Sequence, residues 1–111
     1  MEVVEIPSGR ITILEIKGRI DSSNSIDLSN RLRALYTKPG VLLLLDLQGL
    51  EYITSAGFRT LLIGRRHAAS SGGALALCAL SDKVQDLFAM GGFKENFTIH
   101  STREEGMARL A

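Results

Sequence analysis

Two continuous apolar runs constrain the fold of this chain more than any other feature. In Val41–Leu47 the only charged residue is Asp46, and Ala74–Leu80 contains no charged residue. Aliphatic runs of this length are typical of strands that are covered on both faces of a sheet. A segment with helical spacing, about Ser55–Ser70, lies between them. The sequence therefore predicts a right-handed parallel crossover, strand–helix–strand, at the centre of an α/β fold.

The segments outside this crossover predict a mixed sheet with helices packed on it. The predicted order is strand, strand, helix, strand, helix, strand, helix, strand, helix, in one domain over residues 1–111. Turn-forming residues separate the first two strands as in a hairpin, and capping residues precede the helices. The further strands are predicted at Glu2–Ile6, Ile11–Lys17 and Phe97–Ile99, a turn at Gly18–Asp21, and helix caps at Ser22–Ser25, Ser81–Asp82 and Ser101–Thr102.

The composition excludes several classes of function. A net charge of +1 and an aromatic content of 5% without Trp argue against a nucleic-acid partner. The single cysteine, Cys78, excludes an internal disulfide and a cysteine-based metal cluster, and its apolar surroundings in the sequence predict burial. The N-terminus does not resemble a signal peptide, and no apolar run is long enough to cross a membrane. We therefore expect a cytoplasmic protein.

Ser55 is the residue that most directly suggests a function. It is predicted to follow a buried strand and to lie on the first turn of the second helix, where functional groups of α/β sheets gather. A phosphate at this position would meet free backbone N–H groups and the positive end of the helix dipole. The local sequence leaves two interpretations open. Ser55 or Thr54 caps the helix, or Ser55 is a phosphorylation switch.

A catalytic role for Ser55 has no support in the sequence. His67 lies twelve positions further along the same helix, about 18 Å away along its axis, and nothing places His100 nearby. The Gly-x-Ser-x-Gly elbow, the Walker A loop and the dinucleotide fingerprint are absent. We therefore predict that the chain is not an enzyme, and we expect no catalytic residue, cofactor site or metal site.

Acidic and hydroxyl side chains at two predicted strand ends are candidates for the same surface. Asp46 either shapes the environment of Ser55 or forms the turn that follows its strand. Asp21 and Ser22 either border the surface around Ser55 or cap the first helix. Both alternatives remain open at the level of the sequence.

The second helix carries two further unusual features. Gly57 stands in its first turn, where glycine is unfavourable, which suggests close approach of backbone or of a partner. Arg59, Arg65, Arg66 and His67 make its polar face basic. A solvated face is the ordinary interpretation of such a pattern, and a basic docking stripe is the alternative.

Six short motifs extend over nearly the whole chain in a specific order. They are Gly18-Arg19-Ile20-Asp21, Leu45-Asp46-Leu47-Gln48-Gly49-Leu50, Ile53-Thr54-Ser55-Ala56-Gly57-Phe58, Gly72-Gly73, Leu80-Ser81-Asp82-Lys83-Val84 and Phe88-Ala89-Met90-Gly91-Gly92-Phe93. With this order and spacing, the chain resembles the anti-sigma factor antagonists, which are bacterial single-domain members of the STAS family. The resemblance implies a single STAS-type α/β domain, with a mixed sheet of about five strands and about four helices.

The resemblance also implies a partner switch. In the family, the unphosphorylated antagonist binds an anti-sigma factor that is also an ATP-dependent serine kinase, and this frees the sigma factor. The kinase then phosphorylates a serine that matches Ser55, and a metal-dependent serine phosphatase reverses the modification. ATP belongs to the kinase, so no cofactor is expected on this chain. We expect the docking face to include Asp21, Ser22, Asp46, Thr54, Ala56, Gly57 and Arg59.

Two positions depart from the family pattern. Thr54 stands where many members carry an acidic residue, which bears on recognition by a typical kinase. Ala56 stands where many members carry Ser or Thr, so Ser55 is the expected acceptor and Thr54 the second candidate. An alternative function within the family is that of an accessory subunit, which regulates a membrane lipid-transport ATPase by docking and needs no phosphate. A small-ligand sensor is a third possibility.

Overall fold

Helices cover both faces of a six-stranded sheet in the computed structural model, which describes residues 1–110. The strands are β1 (Glu2–Ser8), β2 (Ile11–Ile20), β3 (Leu42–Asp46), β4 (Leu50–Ile53), β5 (Ala74–Cys78) and β6 (Ile99–His100). The helices are α1 (Ser25–Leu35), α2 (Ser55–Ser70), α3 (Asp82–Met90) and α4 (Arg103–Leu110), and Lys94–Asn96 forms a short 3-10 helix.

The two apolar runs form the centre of the sheet, as predicted. β3 pairs in parallel with β5, from Leu42 opposite Ala74 to Asp46 opposite Cys78, and α2 lies in the connection between these strands. β1 and β2 form the expected antiparallel hairpin, and β2 and β6 complete the parallel part of the sheet. The strand order is β1-β2-β3-β5-β6, with β4 paired to the far end of β2.

The two faces of the sheet carry separate cores. The main core contains residues of α1, α2 and α3, among them Leu32, Phe58 and Phe88, which are buried against alternate residues of the strands. The opposite face, which we call the α4 face, has a smaller core around Leu44 and Cys78, with α4 packed on it. Burial raises the pKa of the Cys78 thiol to about 12, in line with the predicted apolar surroundings.

One prediction about the strands is wrong, and one strand is not predicted. Gly18–Asp21 does not turn the chain, because β2 continues to Ile20. The pairing of β2 with β3 ends at Glu15, and from Gly18, whose φ is +91°, β2 pairs with β4, with a register irregularity between Gly18 and Arg19. β4 itself, Leu50–Ile53, is not predicted by the sequence, because a strand of four residues is too short to show a reliable period.

The last strand and the last helix are close to their predicted places. The strand is Ile99–His100 and not Phe97–Ile99, because Phe97 packs into the main core before the strand begins. The Thr102 hydroxyl accepts a hydrogen bond of 3.1 Å from the Glu105 N–H, which is half of the predicted capping box.

Candidate functional site

The first turn of α2 holds Ser55 at the carboxyl ends of β2 and β4. Thr54 occupies the N-cap position with extended backbone (φ −96°, ψ 175°). Its N–H donates a 3.0 Å hydrogen bond to the Ile20 carbonyl, which ties the start of α2 to the end of β2. Ser55 comes next and is exposed to solvent. The hydroxyl therefore lies on the first helical turn, where the sequence predicts it.

The side chains at this helix start leave the backbone donors uncapped. The Thr54 hydroxyl lies 3.5 Å from the Ile20 carbonyl and makes no capping hydrogen bond to the helix. Across residues 1–110, no side chain caps the first-turn N–H groups of α2, and this turn has no acidic residue. The free N–H groups and the helix dipole therefore favour an anion at Ser55. The geometry does not support Ser55 as a capping residue.

Gly57 lets α2 approach the two strands closely. A Cβ atom at this position would lie 2.6 Å from Cγ1 of Ile53 and 2.8 Å from Cγ2 of Ile20. Neither distance is tolerable, so a side chain would push the helix start outward. The close approach that the sequence suggested at Gly57 is thus between α2 and the strands of the same molecule. This packing holds the helix start, and with it Ser55, in place.

The exposed side of α2 carries a stripe of polar residues. Phe58 and Leu61 are buried, whereas Ser55, Arg59 and Arg66 are exposed. Positions separated by four and eleven residues lie on one side of a helix. We call Ser55, Arg59 and Arg66 the outer stripe of α2. None of the salt bridges found within residues 1–110 involves Arg59.

The loop after β2 is organised by hydrogen bonds to Asp21. Its Oδ1 accepts bonds from the Ser23 hydroxyl (2.5 Å) and the Ser23 N–H (2.9 Å), and these bonds lower the pKa of the Asp21 carboxyl. The Asp21 N–H in turn donates to Oδ1 of Asn24 at 3.0 Å. Asn24 is the N-cap residue of α1, so neither Asp21 nor Ser22 caps that helix. Ser22 is exposed.

The aromatic side chain of Tyr52, near the end of β4, is not identified from the sequence. The ring of Tyr52 has the Arg19 guanidinium 4.6 Å from its centroid, and the Lys83 ammonium is 5.6 Å away. Tyr52 precedes Thr54 by two residues. Cation–π contacts of this kind fix the aromatic ring at the same end of the sheet as Ser55.

Asp46 lies away from Ser55, which corrects one expectation. Asp46 lies two positions after Leu44, so the pleat of β3 turns both side chains to the α4 face. There Oδ2 of Asp46 accepts a 2.8 Å bond from Arg103, and Oδ1 accepts a 3.0 Å bond from the Gln48 N–H. The bond from the Gln48 N–H stabilises the turn after β3, which is the alternative role that the sequence left open for Asp46. The expectation that Asp46 shapes the environment of Ser55 is wrong.

Arg103 joins Asp46 and Glu15 in an ion-pair cluster that the sequence does not reveal. Glu15 on β2 is the register partner of Asp46 on β3, and Arg103 on α4 contacts both carboxylates. Its hydrogen bonds to Asp46 and then to Glu15 raise the pKa of the Arg103 side chain. The cluster borders a shallow cleft of about 550 Å³, which Gln48 also lines. It fastens α4 to two strands.

The described residues bring no catalytic group to Ser55. His100 lies on the α4 face with its Nδ1 3.3 Å from a carboxylate oxygen of Glu105, and His67 is three turns along α2. No cluster of three or more His, Cys, Asp or Glu suited to a metal ion occurs in residues 1–110. No helix in this part of the chain combines the length and the apolar character needed to span a membrane.

Comparison with protein families identifies the class of protein. The model of the STAS domain matches residues 3–106. The chain therefore belongs to the STAS domain family, which confirms the resemblance noted from its motifs. The observed mixed sheet with four helices also confirms the fold expected from that resemblance.

Individual relatives point in the same direction. BtrV of Bordetella bronchiseptica, a candidate anti-sigma factor antagonist, is 33% identical over 93 residues, which cover 84% of this chain and 80% of BtrV. An anti-sigma factor antagonist from Mycobacterium paratuberculosis has a TM-score of 0.86 at 16% identity, over 98% of this chain and 92% of the other. The phosphorylated Bacillus cell fate determinant SpoIIAA has a TM-score of 0.74 at 16% identity, over 99% and 100%. The likeness to these two structures shows the fold alone.

Proposed function

We propose that this protein is an anti-sigma factor antagonist whose binding to its partner is controlled by reversible phosphorylation of Ser55. The partner is an anti-sigma factor that is also a serine kinase, and a metal-dependent serine phosphatase restores the unmodified form. The observation that carries the proposal is the exposed Ser55 hydroxyl on an uncapped first turn of α2. The similarity to BtrV supports the assignment of the partner class. The partner-switching pathway would operate in the cytoplasm.

The position of Ser55 allows phosphorylation without loss of the fold. A phosphate adds roughly −1.5 to −2 charges and three acceptor oxygens. Ser55 is exposed, so the phosphate stays in water and costs little desolvation. The free N–H groups and the dipole of α2 stabilise the added negative charge. The close packing of Gly57 against Ile20 and Ile53 keeps the helix start in place.

The switch acts on the surface that a partner meets. The proposed docking face consists of Asp21, Ser22, Thr54, Ser55, Ala56 and Arg59, with Gly57 beneath it; Asp46 lies outside it on the α4 face. Excluding a partner by a factor of one hundred requires about 2.7 kcal/mol. A phosphate whose charge is not fully balanced when it is desolvated in an interface costs more than that. One phosphate at the centre of the face is therefore sufficient.

Intact-mass analysis after incubation with candidate kinases and ATP tests the proposal. Wild type is expected to gain one phosphate, Thr54→Ala to gain one as well, and Ser55→Ala to gain none. Labelling of Ser55→Ala would show that the acceptor is wrong. Stable co-purification with a membrane ATPase, without labelling of Ser55, would favour the accessory-subunit alternative.

A further inference from the structure

We propose that Arg59 is an internal counter-charge for a phosphate on Ser55, so that phosphorylation also removes a free cation from the docking face. This inference rests on the proposed function and concerns the regulation of the same site. It assigns Arg59 two states, one available to a partner and one occupied by the phosphate.

The spacing on α2 places Ser55 and Arg59 next to each other. Ser55 and Arg59 are separated by four residues on the outer stripe, and both are exposed. Side chains at this spacing have Cβ atoms about 5–6 Å apart, within easy reach of a guanidinium group. An anion that precedes a cation by four residues is also the more favourable order in a helix. The guanidinium group matches phosphate oxygens with two parallel hydrogen bonds.

Arg59 is not paired with an acidic side chain of the described residues. It makes no salt bridge within the described part of the chain, and the first turn of α2 offers no acidic side chain to compete for it. The other nearby cations differ in this respect, because Arg19 and Lys83 lie over the ring of Tyr52. Arg66 lies eleven residues from Ser55, about 16 Å along the axis of the helix, and cannot reach a phosphate there.

The consequence is that the docking face loses a free cation as well as gaining an anion. Before modification, the start of the outer stripe carries the free positive charge of Arg59. After modification, the arginine is paired and the remaining charge of the phosphate is negative. A partner carboxylate that pairs with Arg59 would then face both a lost cation and a new anion. Arg59 thus converts the added phosphate into a reversal of local charge.

The second pKa of a phosphate on the residue at position 55 tests this inference. Phosphoserine is introduced at position 55 during synthesis of the chain, without a kinase, and the phosphate is titrated by ³¹P NMR at low salt. The variants are Arg59→Gln, Arg59→Lys and, as a matched control on the same stripe, Arg66→Gln. The neighbouring charges Asp21, Arg19 and Lys83 are the same in all of them, so their influence cancels.

A nearby cation favours the doubly charged phosphate and lowers its second pKa. We expect Arg59→Gln to raise this pKa by about 0.3, which is the scale of an exposed pair at this spacing. Arg59→Lys should keep most of the effect, and Arg66→Gln should leave the pKa of the phosphate where it is in wild type. An unchanged titration of Arg59→Gln, or an equal change in Arg66→Gln, would overturn the inference. Failure of every kinase to label Ser55 would count against the proposed function only, since this phosphate needs no kinase.

Discussion

Charged and polar side chains gather near the carboxyl ends of strands on both faces of the sheet, but their surroundings are opposite. At the start of α2, the Ser55 side chain is exposed, and Arg59 makes no salt bridge within residues 1–110. On the α4 face, Asp46 is only 5% exposed and shares Arg103 with Glu15. The first group is open to new partners, whereas the second is paired within the fold.

This difference separates the energetic roles of the two regions. Removing one member of a fully buried charge pair leaves the other desolvated, and such changes typically cost about 3–5 kcal/mol. The side chains of Arg103 and Glu15 are 30% and 27% exposed, so the cost for this cluster should not exceed the lower end of that range. Exposed substitutions that disturb no special feature usually change stability by about 0.5 kcal/mol or less. Variants on the α4 face should therefore change folding, whereas variants on the outer stripe of α2 should change binding.

The largest effect is expected for Arg103→Met, which removes the shared cation and leaves Asp46 and Glu15 side by side. We expect the free energy of unfolding to fall by about 3 kcal/mol, measured by urea denaturation. Arg66→Met, an exposed arginine on α2, is the matched control and should change stability by about 0.5 kcal/mol or less. Equal stability of the two variants would remove the contrast between the faces.

A smaller loss of stability is expected for Gly57→Ala, because its Cβ would clash with Ile53 and Ile20. Overpacking of this kind typically costs about 1–3 kcal/mol, and it would also displace Ser55. Gly64→Ala is the control, since its Cβ would meet the flexible end of Leu32 at 2.9 Å, away from the helix start. Gly57→Ala should lose stability and weaken partner binding, whereas Gly64→Ala should change both much less, because the end of Leu32 can move and alanine favours the helix. Unchanged partner binding by Gly57→Ala would show that the position of the helix start does not affect docking.

Ser55→Asp tests the effect of charge on the outer stripe alone. A single added carboxylate should weaken binding to the anti-sigma factor by about tenfold, equivalent to about 1.4 kcal/mol, with little change in stability. Ser55→Ala should bind like the unmodified protein. Calorimetric titration measures both affinities. Binding of the aspartate variant as tight as that of wild type would contradict the exclusion mechanism.

The smallest effect concerns Asp21, whose carboxyl pKa is lowered in the folded protein by its bonds to Ser23. A lowered pKa means that the contribution to stability is complete above the ordinary value of 3.8 and is lost as the pH falls through the lower folded value. Asp21→Asn should therefore have a shallower decline of melting temperature below about pH 4. Thermal melts between neutral and acidic pH check this, and parallel curves for the two proteins would exclude a role for Asp21.

Local patterns were sufficient for the elements that carry Ser55. The helical spacing of α2 and the glycines after it predict its position, because these signals depend on neighbouring residues alone. β4 and the last part of β2 are not predicted. They pair with each other across a register irregularity between Gly18 and Arg19, and no local period marks this pairing. The helix that carries Ser55 is therefore predicted better than the strand pairing that supports it.

The sequence by itself determined the central crossover, the order of most elements and the place of Ser55 on a helix start. Tertiary structure decided which way Asp46 points and which charge it meets. Arg103 lies 57 residues from Asp46 and 88 residues from Glu15 along the chain, so no local window contains this cluster. The pleat of β3 and the packing of α4 bring the three charges together. Contacts of that range arise only when the sheet is assembled, whereas a helix start depends on the residues next to it.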